Sequence, residues 1–143
     1  MDTEARIRQI YDIFNTHDFD KLDALFHPDY EDHSVGTPLP TPFGLQELKG
    51  VLNMYYSAFP DGEWSISDVL SEGSGDNDKA AWRDRFTGTH QGELMGIPPT
   101  GRKVDVSGMS MGELRDGKAY RHWSVFDNLG LMQQLGVIPA PGA

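Results

Sequence analysis

The chain has 143 residues, enough for one domain with a core of its own, and its hydrophobic (38%) and charged (24%) fractions are those of a folded globular protein. Twelve Lys and Arg stand against 22 Asp and Glu, and the net charge of −10 argues against nucleic acid and membrane surfaces as partners. The sequence also lacks an apolar run of membrane-spanning length and a signal peptide, so we expect one cytoplasmic domain over residues 1–143.

Three helices are predicted in the first part of the chain. Apolar residues at helical spacing behind Asp2 and Thr3, either of which can cap, predict an amphipathic helix over residues 3–15. A second, short helix carries Phe19, Leu22, Leu25 and Phe26. It ends at His27-Pro28, because the residue before a proline disfavours helical geometry. The strongest helical stripe runs from Leu45 to Phe59 and stops at Pro60-Asp61-Gly62.

From Trp64 onward the hydrophobic pattern alternates, which is typical of strands. Turn signals at residues 73–78, 96–101 and 116–117 divide this part into strands. The four predicted strands cover residues 64–72, 79–90, 102–114 and 118–126, and a short helix from Asn128 to Leu135 follows. Helices followed by meandering strands predict an α+β domain, with the helices packed on a strongly curved antiparallel sheet. The open end of such a cone is a natural ligand site.

Strand alternation groups the polar candidates by face. Trp82, Asp84, Phe86 and His90 share one face of their strand. On the last strand, Tyr120, His122, Ser124 and Phe126 share one face, while Arg121, Trp123, Val125 and Asp127 share the other. The sequence leaves open which of these two faces looks inward. Gly108, Ser110 and Gly112 give the third strand a face of small residues, which either leaves room for a ligand or accepts close packing of a helix.

Each candidate site residue also has a structural explanation. Asp32 and His33 lie at the mouth of the pocket or are hydrogen-bonded loop residues. His90 either orients a ligand or is a satisfied core histidine. Asp127 is equally well explained as the N-cap of the last helix, and Tyr55 reaches the pocket or fills the core.

Other kinds of site are disfavoured by their context. Gly108-Met-Ser-Met-Gly112 matches the spacing of a nucleophile elbow, but it lies inside a strand rather than at a strand-to-helix turn. The five histidines are scattered and there is no cysteine, so no metal site is expected. No glycine-rich phosphate loop follows a strand, and we therefore expect no cofactor.

Several short motifs together resemble the SnoaL-like polyketide cyclase family. In chain order they are Ala58-Phe-Pro-Asp61, Gly88-Thr-His-Gln-Gly92, Gly96-Ile-Pro-Pro-Thr-Gly-Arg102, Asp116-Gly-Lys118, His122-Trp123, Asp127 and Gln134-Leu-Gly136. Each motif is short, but their joint spacing over nearly the whole chain is specific. The resemblance implies an NTF2-like cone, usually assembled as a homodimer or tetramer through the outer face of the sheet.

The resemblance also implies a chemistry. Characterised members close a ring in an aromatic polyketide methyl ester by intramolecular aldol condensation, without metal or nucleotide. Their base is an Asp that aligns with Ser124 here, and their assisting Gln and His align with Gly108 and Ser110, so the sequence departs from the cyclase pattern at these positions. Asp32 retains the acceptor after the second helix. The Asp32-His33, Thr89-His90 and His122-Trp123…Asp127 pieces match members usually described as ester cyclases.

The leading hypothesis is therefore a cofactor-independent acid/base enzyme for a carbonyl-bearing, apolar or aromatic substrate, acting as a cyclase, isomerase or hydrolase. Asp127 or His122 is the expected acid/base, Asp32 the remaining catalytic candidate, and His33 and His90 orient a carbonyl or carboxylate. The other expected substrate contacts are Tyr55, Trp82, Ser110, Trp123 and Ser124. The alternatives are a non-catalytic module for hydrophobic ligands and a protein-interaction domain that uses the outer face of the sheet.

Overall fold

A computed structural model describes residues 2–73 and 76–142. The helices are α1 (Thr3–Thr16), α2 (Leu45–Ala58) and α3 (Asn128–Gln134), with a 3₁₀ segment at Phe19–Ala24. The strands are β1 (Phe26–Asp32), β2 (Glu63–Ser71), β3 (Lys79–Thr89), β4 (Lys103–Arg115) and β5 (Lys118–Phe126). The predicted turn at residues 73–78 has its centre, residues 74 and 75, outside the described residues.

Three of the four predicted helices, those that correspond to α1, α2 and α3, are confirmed to within about two residues at each end. The four predicted strands of the second half are confirmed to the same precision, which is the usual uncertainty of element boundaries. Asp2 caps α1 by accepting a hydrogen bond of 2.8 Å from the backbone N–H of Ala5. The prediction for the second helix is wrong at its end. Helical structure stops at Ala24 as a 3₁₀ segment, and Phe26 already belongs to a strand.

The strand β1 is the main correction to the predicted fold. It pairs in parallel with β5, whereas the other neighbours in the order β1-β5-β4-β3-β2 are antiparallel, so the five-stranded sheet is mixed. Pro28 falls where the β1–β5 register is interrupted, between Phe26 and Glu31, and such a position tolerates a residue without an N–H. Among the described strands β1 is an edge strand that pairs with β5, and beyond it Asp32 makes an isolated antiparallel bridge with Phe43.

The sheet is not closed, and the helices cover its inner face. One core cluster joins α2 and α3 to β3 and β4 through fully buried side chains, among them Phe59, Phe86, Val106 and Leu131. A second cluster joins α1, the 3₁₀ segment, β1 and α2 around Leu22 and Leu52. The space left between α1, α2 and the sheet is the cavity described below. No described helix is both long enough and apolar enough to cross a membrane.

Candidate active site

The cavity lies between α1, α2 and the inner face of the sheet, and its lining is mostly apolar and aromatic. Its volume is about 160 Å³, close to the roughly 150 Å³ of an engineered protein cavity that binds benzene. The exposed segment 35–38 borders it on one side, and Asn128 at the start of α3 holds that segment by donating to the carbonyl of Gly36 at 3.0 Å. The space therefore suits a small aromatic group.

Two residues of the cavity wall, Asp32 and His122, form a hydrogen-bonded pair. They are register partners on the parallel strands β1 and β5, and Asp32 Oδ2 lies 3.2 Å from His122 Nδ1. Asp32 is 2% exposed. Its carboxylate also accepts a hydrogen bond of 2.8 Å from the Tyr30 hydroxyl and one of 2.9 Å from the backbone N–H of Ser34.

These contacts keep Asp32 ionised. Burial acts to raise the pKa of Asp32, but the hydrogen bond and charge of His122 and the hydrogen bonds from Ser34 outweigh it and lower the pKa to about 2. Burial, followed by the charge of Asp32, raises the pKa of Tyr30 well above its ordinary value, so Tyr30 stays a neutral donor. The negative charge of Asp32 is thus fixed next to His122 over the whole physiological pH range.

Asp32 fixes the tautomer of the His122 ring. Because ionised Asp32 can only accept, Nδ1 of His122 carries the proton of their shared hydrogen bond. Nε2 is buried and has no hydrogen-bond partner within the described part of the chain. In a neutral imidazole with a proton on Nδ1, Nε2 holds the basic lone pair. An imidazole oriented by a buried carboxylate, with its second nitrogen free, is the arrangement of a general base.

Serine hydroxyls extend this pair along the sheet. The hydroxyl of Ser124 donates to Ser34 Oγ at 2.8 Å, and Ser34 Oγ lies 3.3 Å from His122 Nδ1. Both serines line the cavity. The inner face of the last strand is therefore the one that carries His122, Ser124 and Phe126, which settles the orientation that the sequence left open.

A second cluster surrounds Asp84 on the inner face of β3. Its Oδ1 accepts hydrogen bonds from the Tyr11 hydroxyl at 2.5 Å and from Trp82 Nε1 at 2.8 Å, and its Oδ2 accepts one from the Ser110 hydroxyl. Burial and then the charge of Asp84 raise the pKa of Tyr11 well above its ordinary value. These four residues line the cavity, and Trp82 stacks on His122.

The family model for SnoaL-like polyketide cyclases matches residues 5–135 of the chain. The protein belongs to this family. Nogalonic acid methyl ester cyclase of Streptomyces nogalater is 30% identical over 131 residues, which are 86% of this chain and 89% of that protein. Aklanonic acid methyl ester cyclase AcmA of Streptomyces galilaeus is 28% identical over 135 residues, 92% of this chain and 89% of its own.

The fold of this SnoaL-like chain is also that of its solved relatives. The crystal structure of wild-type IdmH from Streptomyces antibioticus superimposes with a TM-score of 0.81 at 32% sequence identity, covering 95% of this chain and 99% of that one. The NTF2-like α+β fold that the resemblance implied is therefore confirmed, with the mixed sheet described above.

Of the histidines and carboxylates proposed for this SnoaL-like site, the structure places His122 and Asp32 together in the cavity wall. Tyr55, Trp82, Ser110 and Ser124 also line the cavity. His33 instead stacks on Trp123 with 5.5 Å between ring centroids, and its Nε2 lies 3.2 Å from Glu31 Oε2. Neither His33 nor Trp123 lines the cavity.

Two further expected site residues lie elsewhere. His90, just beyond β3, is fully buried beside Phe59, and its Nδ1 accepts from the backbone N–H of Thr100 at 3.2 Å. Asp127 is exposed and caps α3 by accepting from the N–H of Gly130 at 2.8 Å. The expectation that His33, His90, Trp123 and Asp127 line the pocket is therefore not met, because strand direction and loop geometry turn these side chains away.

The sequence did not propose the residues that hold the two aspartates of the cavity, Tyr11, Tyr30 and Ser34, nor Asp84 itself. Strand alternation had placed Asp84 beside Trp82, which was the available signal for it. No local pattern in the sequence shows that the hydroxyls of Tyr11 and Tyr30 reach a carboxylate. Among residues 2–73 and 76–142, no group of three or more His, Asp or Glu is placed to hold a metal ion.

Proposed function

We propose that this protein is a cyclase-type enzyme that removes a proton from a carbon next to a carbonyl in an apolar, aromatic substrate. The observation that carries the proposal is the buried Asp32–His122 pair in the wall of an apolar cavity, with His122 Nε2 unpaired in the described chain. The similarity to two methyl ester cyclases supports this substrate class.

In the proposed reaction, His122 Nε2 accepts the proton from the acidic carbon and Asp32 stabilises the imidazolium that forms. The resulting enolate carbon attacks a second carbonyl of the same molecule, one carbon–carbon bond forms, and the carbonyl oxygen takes up a proton. The product is therefore an isomer of the substrate. The apolar lining of the cavity excludes water and strengthens the electrostatic effect of Asp32.

The direct test is incubation with nogalonic acid methyl ester and with aklanonic acid methyl ester, followed by chromatography and mass spectrometry. We expect a product of unchanged mass and altered retention with at least one of the two compounds. Binding of both compounds with complete recovery of unaltered material would instead favour a module that only holds hydrophobic ligands.

We also propose that the protein self-associates through the outer face of its sheet. Five partly or largely exposed apolar residues form a continuous patch there, called the outer apolar face: Val35, Met109, Met111, Trp123 and Val125. Met109 and Met111 on β4 pair with Val125 and Trp123 on β5, respectively. Val125 also forms an isolated bridge with Val35. Exposed apolar patches of this kind favour burial against another surface.

We also propose a cytoplasmic location. The chain contains no cysteine and therefore forms no disulfide bond, the feature typical of proteins in oxidising compartments.

A further inference from the structure

The cavity holds a second carboxylate, Asp84, that the proposed chemistry at His122 does not use. Asp84 is 5% exposed and lines the cavity together with Ser110, which is also 5% exposed. Both side chains come from the inner sheet face, from β3 and β4 respectively. A polar group is rarely buried in an apolar wall unless it is hydrogen-bonded or functional.

The two oxygens of Asp84 have different surroundings. Oδ1 accepts two hydrogen bonds, from Tyr11 and Trp82, and these tie α1 to the sheet. Oδ2 accepts one hydrogen bond, from the Ser110 hydroxyl. Each oxygen of an ionised carboxylate can accept about two hydrogen bonds. Oδ2 therefore retains an acceptor position, and Asp84 and Ser110 both line the cavity.

Asp84 also has no cationic partner within the described chain, since none of the ion pairs between described residues includes it. This distinguishes Asp84 from Asp32, whose charge faces His122. A buried carboxylate held by neutral donors alone is costly, and a further donor from a ligand lowers that cost.

We propose that Asp84, whose Oδ2 also accepts from Ser110, forms a second polar subsite, which binds a phenolic or enolic hydroxyl group of an aromatic ligand. An O–H group can donate to Oδ2, and hydrogen bonds to a charged acceptor are the stronger kind. The cavity around it is aromatic and has the volume of a small aromatic ring system. The proposal rests on the proposed function for the identity of the ligand as a substrate, but the binding itself does not require turnover.

Trp82 connects the subsite to the proposed base. Its Nε1 donates to Asp84, and its ring stacks on the ring of His122 with 5.8 Å between centroids. Asp84 and the proposed base therefore both contact Trp82, and all three residues line the same cavity. The subsite determines which aromatic compounds are held in position for proton removal.

The test compares the binding of 2-naphthol and 2-methylnaphthalene, which have nearly the same shape but differ in a hydrogen-bond donor. Dissociation constants are measured by calorimetry for the wild type, Asp84→Asn and, as a matched control for the same change at an exposed residue, Asp12→Asn. We expect Asp84→Asn to shift the ratio of the two constants at least tenfold against 2-naphthol, and Asp12→Asn to shift it less than twofold. An unchanged ratio in folded Asp84→Asn would overturn the proposal.

Ser110→Ala provides a second readout, because it leaves the bonds between Asp84 and α1 in place. Removing the competing hydroxyl frees Oδ2, so we expect the ratio to move at least threefold in favour of 2-naphthol; a ratio equal to the wild type contradicts the subsite. Turnover by the wild type separates the two proposals. If the binding ratio depends on Asp84 but the wild type turns over neither methyl ester, the subsite stands and the proposed reaction fails. If the wild type turns over a methyl ester but the binding ratio is unchanged in Asp84→Asn, the reaction stands and the subsite fails.

Discussion

The imidazole of His122 lies against the indole of Trp82, with 18° between the ring planes and 5.8 Å between the centroids. Trp82 is itself held by hydrogen bonds from its Nε1 to Asp84 and to the Tyr11 hydroxyl. His122 is thus fixed by a stacking contact on one face and by Asp32 at Nδ1. The position of the proposed base depends on residues that never touch the substrate's acidic carbon.

Gly112 tests this dependence. A Cβ at position 112 would lie 3.0 Å from Cη2 and 3.3 Å from Cζ3 of Trp82, which cannot move freely because its Nε1 is bonded on the other side. We expect Gly112→Ala to lower the free energy of unfolding by about 1 kcal/mol and to reduce kcat. Urea unfolding and turnover measure the two effects.

The matched control is Gly50→Ala in α2, because Gly50 is exposed and a Cβ there meets nothing within 4 Å. Alanine in a helix is favoured over glycine by about 0.5–1 kcal/mol, so this variant should be more stable and equally active. If Gly112→Ala matched Gly50→Ala in both stability and kcat, Trp82 would not be needed to position His122.

The ionised state of Asp32 predicts a dependence of stability on pH. Its pKa is lowered from the ordinary 3.8 to about 2 in the folded protein. The stabilisation is therefore complete above about pH 4 and is lost as the pH falls towards 2. A shift of this size corresponds to about 2 kcal/mol. Between pH 5 and pH 2, the free energy of unfolding measured with urea should fall by about 2 kcal/mol less in Asp32→Asn than in the wild type.

The control for Asp32 is Asp12→Asn, because Asp12 is an exposed carboxylate on α1. This variant should retain the full pH dependence of the wild type between pH 5 and pH 2. If the free energy of unfolding of Asp32→Asn fell with pH as steeply as that of the wild type, Asp32 would not be the carboxylate stabilised by His122.

Asp127 should affect stability rather than chemistry. It caps α3 and lies outside the cavity lining. Replacement of an N-cap by alanine costs about 0.5–2 kcal/mol, so Asp127→Ala should unfold at lower urea concentration while its kcat/KM stays within about twofold of the wild type. Asp127→Ser, which preserves a cap, should restore the stability. A fall of more than tenfold in kcat/KM for folded Asp127→Ser would return Asp127 to the list of catalytic candidates.

The outer apolar face predicts an assembly that one charge can disrupt. Val125 is 63% exposed at the centre of this face, between Met109 and Val35. We expect the wild type to be at least dimeric by light scattering after size exclusion, and Val125→Lys to be monomeric, because a buried unpaired charge is costly at an interface. Met95→Lys places the same charge at an exposed apolar residue in a loop and should leave the assembly unchanged. A monomeric wild type would contradict this proposal.

Local patterns in the sequence predicted most of the fold. The apolar stripe from Leu45 to Phe59 and the alternation after Trp64 are set by neighbours within a few residues, and they gave α2 and the strands β2 to β5. β1 could not be found in this way. Its pairing with β5 joins residues about 90 positions apart, such as Asp32 and His122. In addition, Pro28 was interpreted as the end of a helix, although it lies within the strand.

The two members of the catalytic pair were predicted from the sequence, but the contact between them was not. The sequence nominated Asp32 and His122 separately, and only the parallel register of β1 and β5 shows that they form a pair. His33 and His90 were expected to orient the substrate, since a histidine near a strand end gives no sign of whether it faces a cavity, an outer aromatic ring or a buried loop. Asp84 was placed on the same face as Trp82 and His90, two expected substrate contacts, but no role was proposed for Asp84 itself.

The central claim is that His122, oriented by Asp32, removes the proton. The most direct measurement is the rate of ring closure of a methyl ester substrate by the wild type, His122→Gln and Ser124→Ala, each shown to be folded. Loss of a general base lowers the rate by about 10²–10⁴-fold. We predict a loss of this size in His122→Gln and less than about tenfold in Ser124→Ala. A rate in His122→Gln close to that of the wild type, or an equal loss in Ser124→Ala, would contradict the account.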